Sequence, residues 1–300
     1  MFRQLLLAEG RLVWKGRWVL ILAFVLLAVA VWGGPVRTYQ YAVSRVQYVE
    51  ELRSIYQSAF TEFVLDDAAA ADLGEAVALL RPELGVNYLL AILAVLGPMV
   101  LPVWGAQLVG SEFKNRTAKV RAAHSGWMAV VAAKVLWLLL LSAGLALLFA
   151  LAGAVSGPLT WRAAQEAIWL AGEVTPLPLK APPALQLLVT VLGLLFYGLV
   201  GLLAALLTRS ALAGALAGLA LPYLEWMALG TPGWGWLLPR IAYGNLLADH
   251  FVYLSGGFVA EPLALVEPPS PLASWAVFGA WVALAVGLAL AVSRRQQILS

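Results

Sequence analysis

The stretch MAVVAAKVLWLLLLSAGLALLFALAGAV, residues 128–155, decides the fold because it is 28 residues long and carries a single charge, at Lys134. A bilayer core about 30 Å thick needs about 20 apolar residues in a helix that rises about 1.5 Å per residue. The stretch is therefore long enough to cross a membrane as a helix. The composition of the whole chain agrees, because 62% of its 300 residues are hydrophobic and 12% are charged. Soluble domains carry about twice that share of charge, about 25%.

Five further apolar stretches have similar length and composition. We therefore predict an all-α, polytopic membrane protein with six transmembrane helices and a small helical extracytoplasmic hairpin between the first two. The predicted segments are a cytoplasmic amphipathic helix at 1–17, a first span at 18–36, an outer helical segment at 37–86, a second span at 87–109, a cytoplasmic coupling helix at 110–127, a third span at 128–155, an outer interfacial segment at 156–183, a fourth span at 184–207, a fifth span at 211–229, an outer re-entrant or interfacial segment at 230–271, a sixth span at 272–293 and a cytoplasmic tail at 294–300.

The distribution of charge orients these spans. With the N-terminus in the cytoplasm, the cytoplasmic segments carry a net charge of +10 and the opposite side carries −7, although the whole chain carries only +3. Lys and Arg residues are retained on the cytoplasmic side, so both termini are predicted there. The basic start followed by the apolar run to Ala30 also resembles a secretory signal peptide. The run continues to Val36, which favours a retained membrane anchor.

Several classes of function are excluded by what the sequence lacks. The chain has no cysteine and two distant histidines, His124 and His250, which argues against a Cys- or His-rich metal site. A Walker A motif is also missing, so the chain does not hydrolyse nucleotide by that route. An intramembrane enzyme would need paired carboxylates or a histidine cluster, whereas only Glu225 and Lys134 lie within spans, near opposite faces. We expect no metal or cofactor in this chain and no nucleic-acid partner.

Two segments outside the spans show helical patterns. On a helix of the first 15 residues, the apolar side chains lie on one arc and the basic side chains on another, except for Leu7 and Glu9. This pattern is typical of a helix that lies in the membrane interface. The alternative is a merely basic cytoplasmic tail. In the first outer segment, six residues that recur at alternating spacings of four and three positions form one stripe and predict a helix. A second helix is predicted over 68–80. The hairpin either packs only on itself or forms a gate or docking surface. The stripe consists of Tyr41, Arg45, Tyr48, Leu52, Ile55 and Ala59.

Within the spans, prolines, small residues and polar side chains mark candidate functional positions. Proline kinks a helix and frees carbonyl groups, a feature of a helix that lines a bundle interior. Glycines four apart allow two helices to approach closely. Glu225 either lines a pathway or is solvated at the interface, and Lys134 is expected to extend its ammonium back to the cytoplasmic surface. The pathway and kink candidates are Pro98, Pro102, Gln107, Pro222 and Glu225, and the packing candidates are Gly214 and Gly218.

The loop between the second and third spans has the strongest local pattern. Ser111 is a good N-cap and Glu112 favours the positive end of a helix that begins there, so a short basic helix is predicted on the cytoplasmic face. On such a helix Glu112 and Thr117 are about 140° apart and share no contact. Phe113 and Arg116, three apart, would share the exposed face.

This loop resembles that of ABC-2 type transporter permeases, in which a Gly-rich end of the second span precedes Glu-aromatic, a basic pair, Gly-Thr, a Ser-Arg turn and a Lys in the third span. The matching positions are Gly105, Gly110-Ser111-Glu112-Phe113, Thr117-Ala118-Lys119 and Lys134, with Arg116 in place of the family's Gly and Ser125-Gly126-Trp127 at the turn. The layout is most similar to the branch for multicopper-enzyme maturation and lantibiotic export. The resemblance assigns ATPase coupling to Gly110, Glu112, Phe113, Lys114, Arg116, Thr117 and Lys119.

The resemblance implies a six-span permease subunit of an exporter in the cytoplasmic (inner) membrane of a prokaryote, in contact with membrane lipid. It implies two partners, a second permease copy, identical or not, and an ABC ATPase subunit that holds ATP and Mg. The alternative is a membrane scaffold or assembly protein without transport activity, for which the outer hairpin would be the working part. A secondary carrier is disfavoured because neither an inverted repeat nor a midplane ion site is visible.

The charge asymmetry makes a direct prediction about topology. A reporter fused after Ser300 should be cytoplasmic, and one inserted near Asp67 should lie on the other side of the membrane. Alkaline phosphatase and fluorescent-protein fusions measure both positions. Finding both reporters on the same side would overturn the six-span prediction.

Overall fold

The computed structural model of the chain is all-helical in the residues that it describes, which are 2–15, 17–58, 74–115, 117–168, 178–227, 234–252 and 270–298. Short 3-10 helices at Pro82–Leu84 and Gly235–Leu237 and a helical stretch at 74–78 complete the described elements. The main helices are α1 (Phe2–Lys15), α2 (Arg17–Val31), α3 (Arg37–Ser58), α4 (Gly85–Lys114), α5 (Ala118–Ser125), α6 (Trp127–Ala167), α7 (Pro183–Thr208), α8 (Ala211–Met227), α9 (Pro239–His250) and α10 (Pro271–Ile298).

Five helical stretches are long and apolar enough to cross a membrane, so the chain is a multi-pass membrane protein by helix length and hydropathy. They are Ile21–Tyr56, Pro82–Lys114, Trp127–Ala167, Pro183–Thr208 and Pro271–Gln296. Helix α8, the predicted fifth span, is apolar but has 17 residues, a length of about 25 Å. That length is slightly less than the bilayer core, and the sixth crossing therefore stays a prediction.

Helices α4 and α7 form the centre of the bundle. Inside the chain, 67% of the apolar window of each is buried, against 22–28% for the other three candidate spans. Helices α6 and α8 pack around this central pair, and α10 packs on α7. The outward faces of the peripheral helices carry exposed apolar side chains such as Phe24, Leu151 and Leu284, as helices in contact with lipid do.

Glycines let the central helices approach almost to backbone contact. A Cβ atom at Gly105 of α4 would overlap the carbonyl oxygen of Gly198 in α7, and one at Gly201 would overlap that of Pro102. The predicted packing residues of α8 lie at the same junction. A Cβ at Gly218 would overlap the Pro102 ring, and one at Gly214 would lie 2.7 Å from Ala205. Small residues therefore set the spacing of α4, α7 and α8, as is usual in membranes.

The helix of the predicted first span continues beyond Val36, where that span was predicted to end. A π-helical turn, Trp32–Val36, joins α2 to α3 without a break in backbone hydrogen bonding. Within this turn Gly34 faces α4, where an added Cβ would lie 2.8 Å from Ile92. Thr38 and Tyr88 share a hydrogen bond of 2.7 Å just beyond the turn. These contacts fix the first helix against α4.

The predicted outer hairpin packs with the end of α6, and we term α3, residues 74–80 and the last turns of α6 the outer module. Helix α6 does not end at Val155 but continues to Ala167, with Pro158 inside it. Its last turns meet α3 and residues 76–80 in a small separate core. Helix α3 contributes Ala42 and Val46 to this core, whereas the predicted stripe of Tyr41, Tyr48 and Ile55 is exposed. Residues 59–73, which include the first six residues of the predicted second helix, lie outside the described residues.

The glycine contacts make a prediction about stability. Replacing Gly105 with Ala should lower the free energy of unfolding by about 1–3 kcal/mol, because the new methyl group overlaps backbone rather than a flexible side chain. Gly144 of α6 is the matched control, since a Cβ there has open space within 4 Å. Thermal unfolding in detergent, followed by tryptophan fluorescence, compares the two variants. Equal melting temperatures would show that the α4–α7 contact is less tight than described.

Candidate functional site

A buried ion triad joins three helices at the end of the bundle where α1 lies, which we term the α1 end. Lys134 Nζ of α6 lies 2.8 Å from Glu9 Oε2 of α1 and 3.2 Å from Glu112 Oε1 of α4. The three side chains are only 2–4% exposed. A charge in such surroundings is tolerated only when it is paired, so the two carboxylates stabilise the ammonium.

Helix α1 docks on α6 through one narrow face. Leu6, Glu9 and Gly10 are spaced three and four residues apart and therefore point the same way. The Leu6 carbonyl accepts a hydrogen bond of 2.7 Å from Trp137 Nε1. A Cβ at Gly10 would overlap the Trp137 ring, so only glycine permits this approach. Trp137 lies one turn from Lys134 on α6. The indole and the ammonium therefore lie beside each other and both bind α1.

Glu112 connects the triad to the loop that follows α4. Its Oε2 accepts a hydrogen bond of 2.5 Å from Thr117 Oγ1, while its Oε1 contacts Lys134. The backbone N–H of Thr117 also donates to the Glu112 carbonyl at 3.0 Å. The carboxylate therefore links the loop to the bundle core through both of its oxygens.

This geometry corrects three sequence-based predictions. No new helix begins at Ser111, because α4 continues to Lys114 and the separate helix α5 begins at Ala118. Glu112 and Thr117 do share a contact, because the helix ends between them and the chain folds back. Lys134 does not extend to the surface, because two carboxylates reach it inside the bundle.

Aromatic and amide contacts also hold the loop after α4 against the starts and ends of neighbouring helices. The Phe113 ring meets Trp127 edge-on at 5.7 Å between centroids, and it is half-buried rather than projecting. Trp127 Nε1 donates to Gln296 Oε1 at 3.0 Å, and Gln296 Nε2 donates to the Leu206 carbonyl at 2.8 Å. The start of α6 and the ends of α7 and α10 are thereby tied to the loop.

A cavity of about 570 Å³ opens beside the triad. Its wall includes all three triad residues together with Trp104 and Gln107 of α4. Five sequence-predicted residues therefore meet here, namely Gln107, Gly110, Glu112, Lys114 and Thr117. Gly110 is needed for packing, because a Cβ there would lie within 2.5 Å of the Ala211 backbone.

The remaining predicted residues lie elsewhere or outside the description. Arg116 lies outside the described residues, as do the side chains of Lys119, Pro222 and Glu225, although α5 and α8 pass through the last three positions. Pro102 is at the α4–α7–α8 junction rather than in the cavity.

Pro98 explains a contact that the sequence did not predict. Proline lacks the N–H that would bond the carbonyl four residues earlier, at Ala94. The Tyr243 hydroxyl of α9 donates to that carbonyl at 3.2 Å. Burial raises the pKa of Tyr243 well above its usual range, so the hydroxyl keeps its proton. Tyr243 also stacks on Phe278 at 5.1 Å between ring centroids, which fixes α9 against α10.

The described residues provide no group of three or more His, Cys, Asp or Glu side chains that could hold a metal ion. The adjacent Asp249 and His250 do not form such a group. His250 Nδ1 bonds the Leu246 carbonyl at 2.8 Å, and its ring meets the edge of Trp275. The triad itself is a paired ionic contact that joins three helices.

Sequence reasoning missed Glu9, Trp137 and Tyr243 as site residues. For Glu9 a signal was present, because it is the acidic exception to the pattern of an otherwise amphipathic helix. An acid on a helix that faces the membrane, together with a lone lysine in a nearby span, indicates an ion pair.

A scan against models of protein families matches no family, and searches of curated proteins and of solved structures return no similar protein.

The triad predicts that Lys134 is more important for stability than other lysines at this end. Lys134→Met should lower the free energy of unfolding by about 3–5 kcal/mol, because it leaves two buried carboxylates without their shared cation. Lys114→Met, which changes an exposed lysine of α4, should have an effect below about 1 kcal/mol. Unfolding in lipid nanodiscs measures both. Similar stabilities for the two variants would contradict the buried pairing.

Proposed function

We propose that the chain is the membrane-spanning permease subunit of an ABC-2 type transporter, which exports its substrate with ATP hydrolysed by a separate ATPase subunit. Both termini lie in the cytoplasm, six helices cross the inner membrane, and the loop from Gly110 to Ser125 docks on the ATPase. The observation that carries this proposal is the position of Glu112, which links an exposed loop to a buried cation in the bundle.

The loop presents a surface suited to a protein partner. Val120 of α5 is 59% exposed, an unusual position for an apolar side chain on a short helix outside the spans. Exposed polar residues precede and follow it in the chain, among them Lys114, Asn115, Thr117 and His124. An apolar centre within a polar rim is the usual arrangement of a protein interface. Val120 therefore replaces the half-buried Phe113 as the proposed anchor.

Force applied to this surface has a direct path to the spans. Glu112 is in the last turn of α4, the most central helix, and the adjacent Phe113 contacts Trp127 at the start of α6. A displaced loop must therefore move these helix ends or break buried contacts. Packed helices shift between discrete arrangements rather than deforming continuously, which suits alternating access to a pathway.

A second permease copy is proposed to complete the pathway. Helix α4 is enclosed by its own chain, so it does not meet the second copy along most of its length. Helix α8 instead has exposed leucines on its outer face, including Leu212, Leu216 and Leu224. This face is the proposed contact between copies.

The alternative function, a membrane scaffold, is favoured by the outer module. Ala42 and Val46 of α3 pack with Trp161 and Ile168 in a core separate from that of the bundle. Such a module would position a partner outside the membrane. A scaffold would retain its outer partner when the loop from Gly110 to Ser125 is altered, whereas a permease would lose its ATPase.

The docking surface is tested by a charge reversal. Lys114→Glu should reduce the amount of ATPase that copurifies with the chain from its native host by about tenfold, the effect of a typical interface residue. Arg294→Glu is the matched control, since it removes an exposed cation from the same side and should bind like the parent. Membrane insertion of each variant is checked by fluorescence size-exclusion chromatography. Equal ATPase recovery from both variants, or none from the parent, would overturn the proposal.

A further inference from the structure

The wall of the cavity beside the triad changes from apolar to polar along α4. One stripe of this helix faces the cavity, because its members follow the first at three, four, seven and eleven positions. They are Trp104, Gln107, Leu108, Ser111 and Asn115. The stripe is about 17 Å long, and its polar end is the one at the loop after α4.

The end of the cavity inside the bundle is apolar. Leu141 of α6 is two turns farther from the loop than Lys134, and it also lines the cavity. Trp104 is buried, whereas Leu108 and Leu141 are half-buried. Apolar side chains of this kind gain free energy when hydrocarbon rather than water covers them.

The other end of the cavity offers hydrogen-bond donors that the chain itself does not use. Four exposed side chains there have no hydrogen bond or ion pair within the described part of the chain, namely Gln107, Ser111, Lys114 and Asn115. The two carboxylates of the triad, in contrast, face Lys134, and that of Glu112 also accepts from Thr117. The Lys114 ammonium is therefore the charge that the described wall presents to a ligand, and it suits a phosphate group.

We propose that the cavity binds one phospholipid from the leaflet at the α1 end, with its phosphate at Lys114, its ester groups at Gln107 and one acyl chain beside Trp104. The phosphate accepts hydrogen bonds from the ammonium and from the Asn115 amide, and an ester carbonyl accepts one from the Gln107 amide. The cavity of about 570 Å³ has the size of a small-molecule site, so it holds the polar part of the lipid and the upper part of one chain. This site does not rest on the proposed function.

A phospholipid matches both ends of the cavity, whereas two other occupants match one end each. A soluble phosphate would contact Lys114 but leave Trp104 and Leu108 uncovered. A second copy of the chain would cover the apolar end but would bury the exposed ammonium and amides, and charged residues are depleted at the centre of protein interfaces. The order of the groups along α4 therefore favours a lipid.

The polar end of the site is tested by lipid binding to the full chain in detergent, without any ATPase. The probe is dioleoylphosphatidylglycerol, in which the phosphate carries the only charge, and native mass spectrometry counts the molecules bound. One lipid per chain should bind more tightly than the rest, and Lys114→Gln should weaken that binding at least fivefold. Arg294→Gln removes an exposed cation at the same end and should bind within twofold of the parent.

The apolar end is tested by filling it. Leu108→Trp places a larger side chain in the cavity and should weaken binding of the same lipid at least fivefold. Met99→Trp is the matched control, because Met99 is an exposed residue of α4 outside the cavity wall, and it should bind within twofold of the parent. Size-exclusion chromatography checks that each variant is folded. Parental affinity in either Lys114→Gln or Leu108→Trp would show that lipid binds elsewhere on the surface and would overturn the proposal.

The chain contains no cysteine, so a single thiol locates the bound lipid. In Gln107→Cys, the reaction rate with a water-soluble methanethiosulfonate should fall at least fivefold when lysophosphatidylglycerol is added. Glycerol 3-phosphate, which has the phosphate but no acyl chain, should leave the rate within twofold. Equal protection by both compounds would indicate a site for soluble phosphate, and protection that follows dimer formation without lipid would indicate a second copy of the chain. Either result would overturn the lipid site, and neither depends on whether an ATPase binds, so the permease proposal is decided separately.

Discussion

An ammonium group in a membrane helix must meet opposite charge before that helix is stable among apolar side chains. Lys134 is eight residues into α6, and the carboxylates that reach it come from α1 and from the last turn of α4. This requirement determines much of the α1 end. It draws the N-terminal helix onto α6, fixes the end of α4 through Glu112, and places Thr117 where the chain turns toward α5.

The centre of the bundle depends on a different interaction. Lipid tails are as apolar as leucine, so helices in a membrane associate by close packing and by internal hydrogen bonds. Glycines at 105 and 201 bring α4 and α7 together, and Pro102 fits beside α8. The carbonyl that Pro98 leaves without a helical partner is satisfied by Tyr243, from a segment between two spans. A proline and a tyrosine 145 positions apart in the sequence thus form a single structural unit.

Hydropathy predicted the long apolar helices well, because apolar length is a property that the sequence displays directly. It did not predict that two helices continue past Val36 and Val155, because a helix needs only backbone hydrogen bonds to continue beyond its apolar part. The pairing of Glu112 with Thr117 was missed because a helical wheel assumes one unbroken helix. Lys134 was expected at the surface because its partner Glu9 is 125 residues away, and local patterns do not show distant contacts. The charged loop itself was found, since its composition differs from that of its neighbours.

The π-helical turn at Trp32–Val36 has a geometric consequence for the outer module. A wider turn accommodates one residue more than an α-helical turn, and each residue of an α-helix corresponds to about 100° of rotation. The turn therefore sets the angular phase between α2, which faces lipid, and α3, which presents Ala42 and Val46 to Trp161. Shortening this turn by one residue would rotate the packed face of α3 away from the outer core. The one extra residue of this turn therefore fixes how the small core around Trp161 is oriented relative to the central bundle.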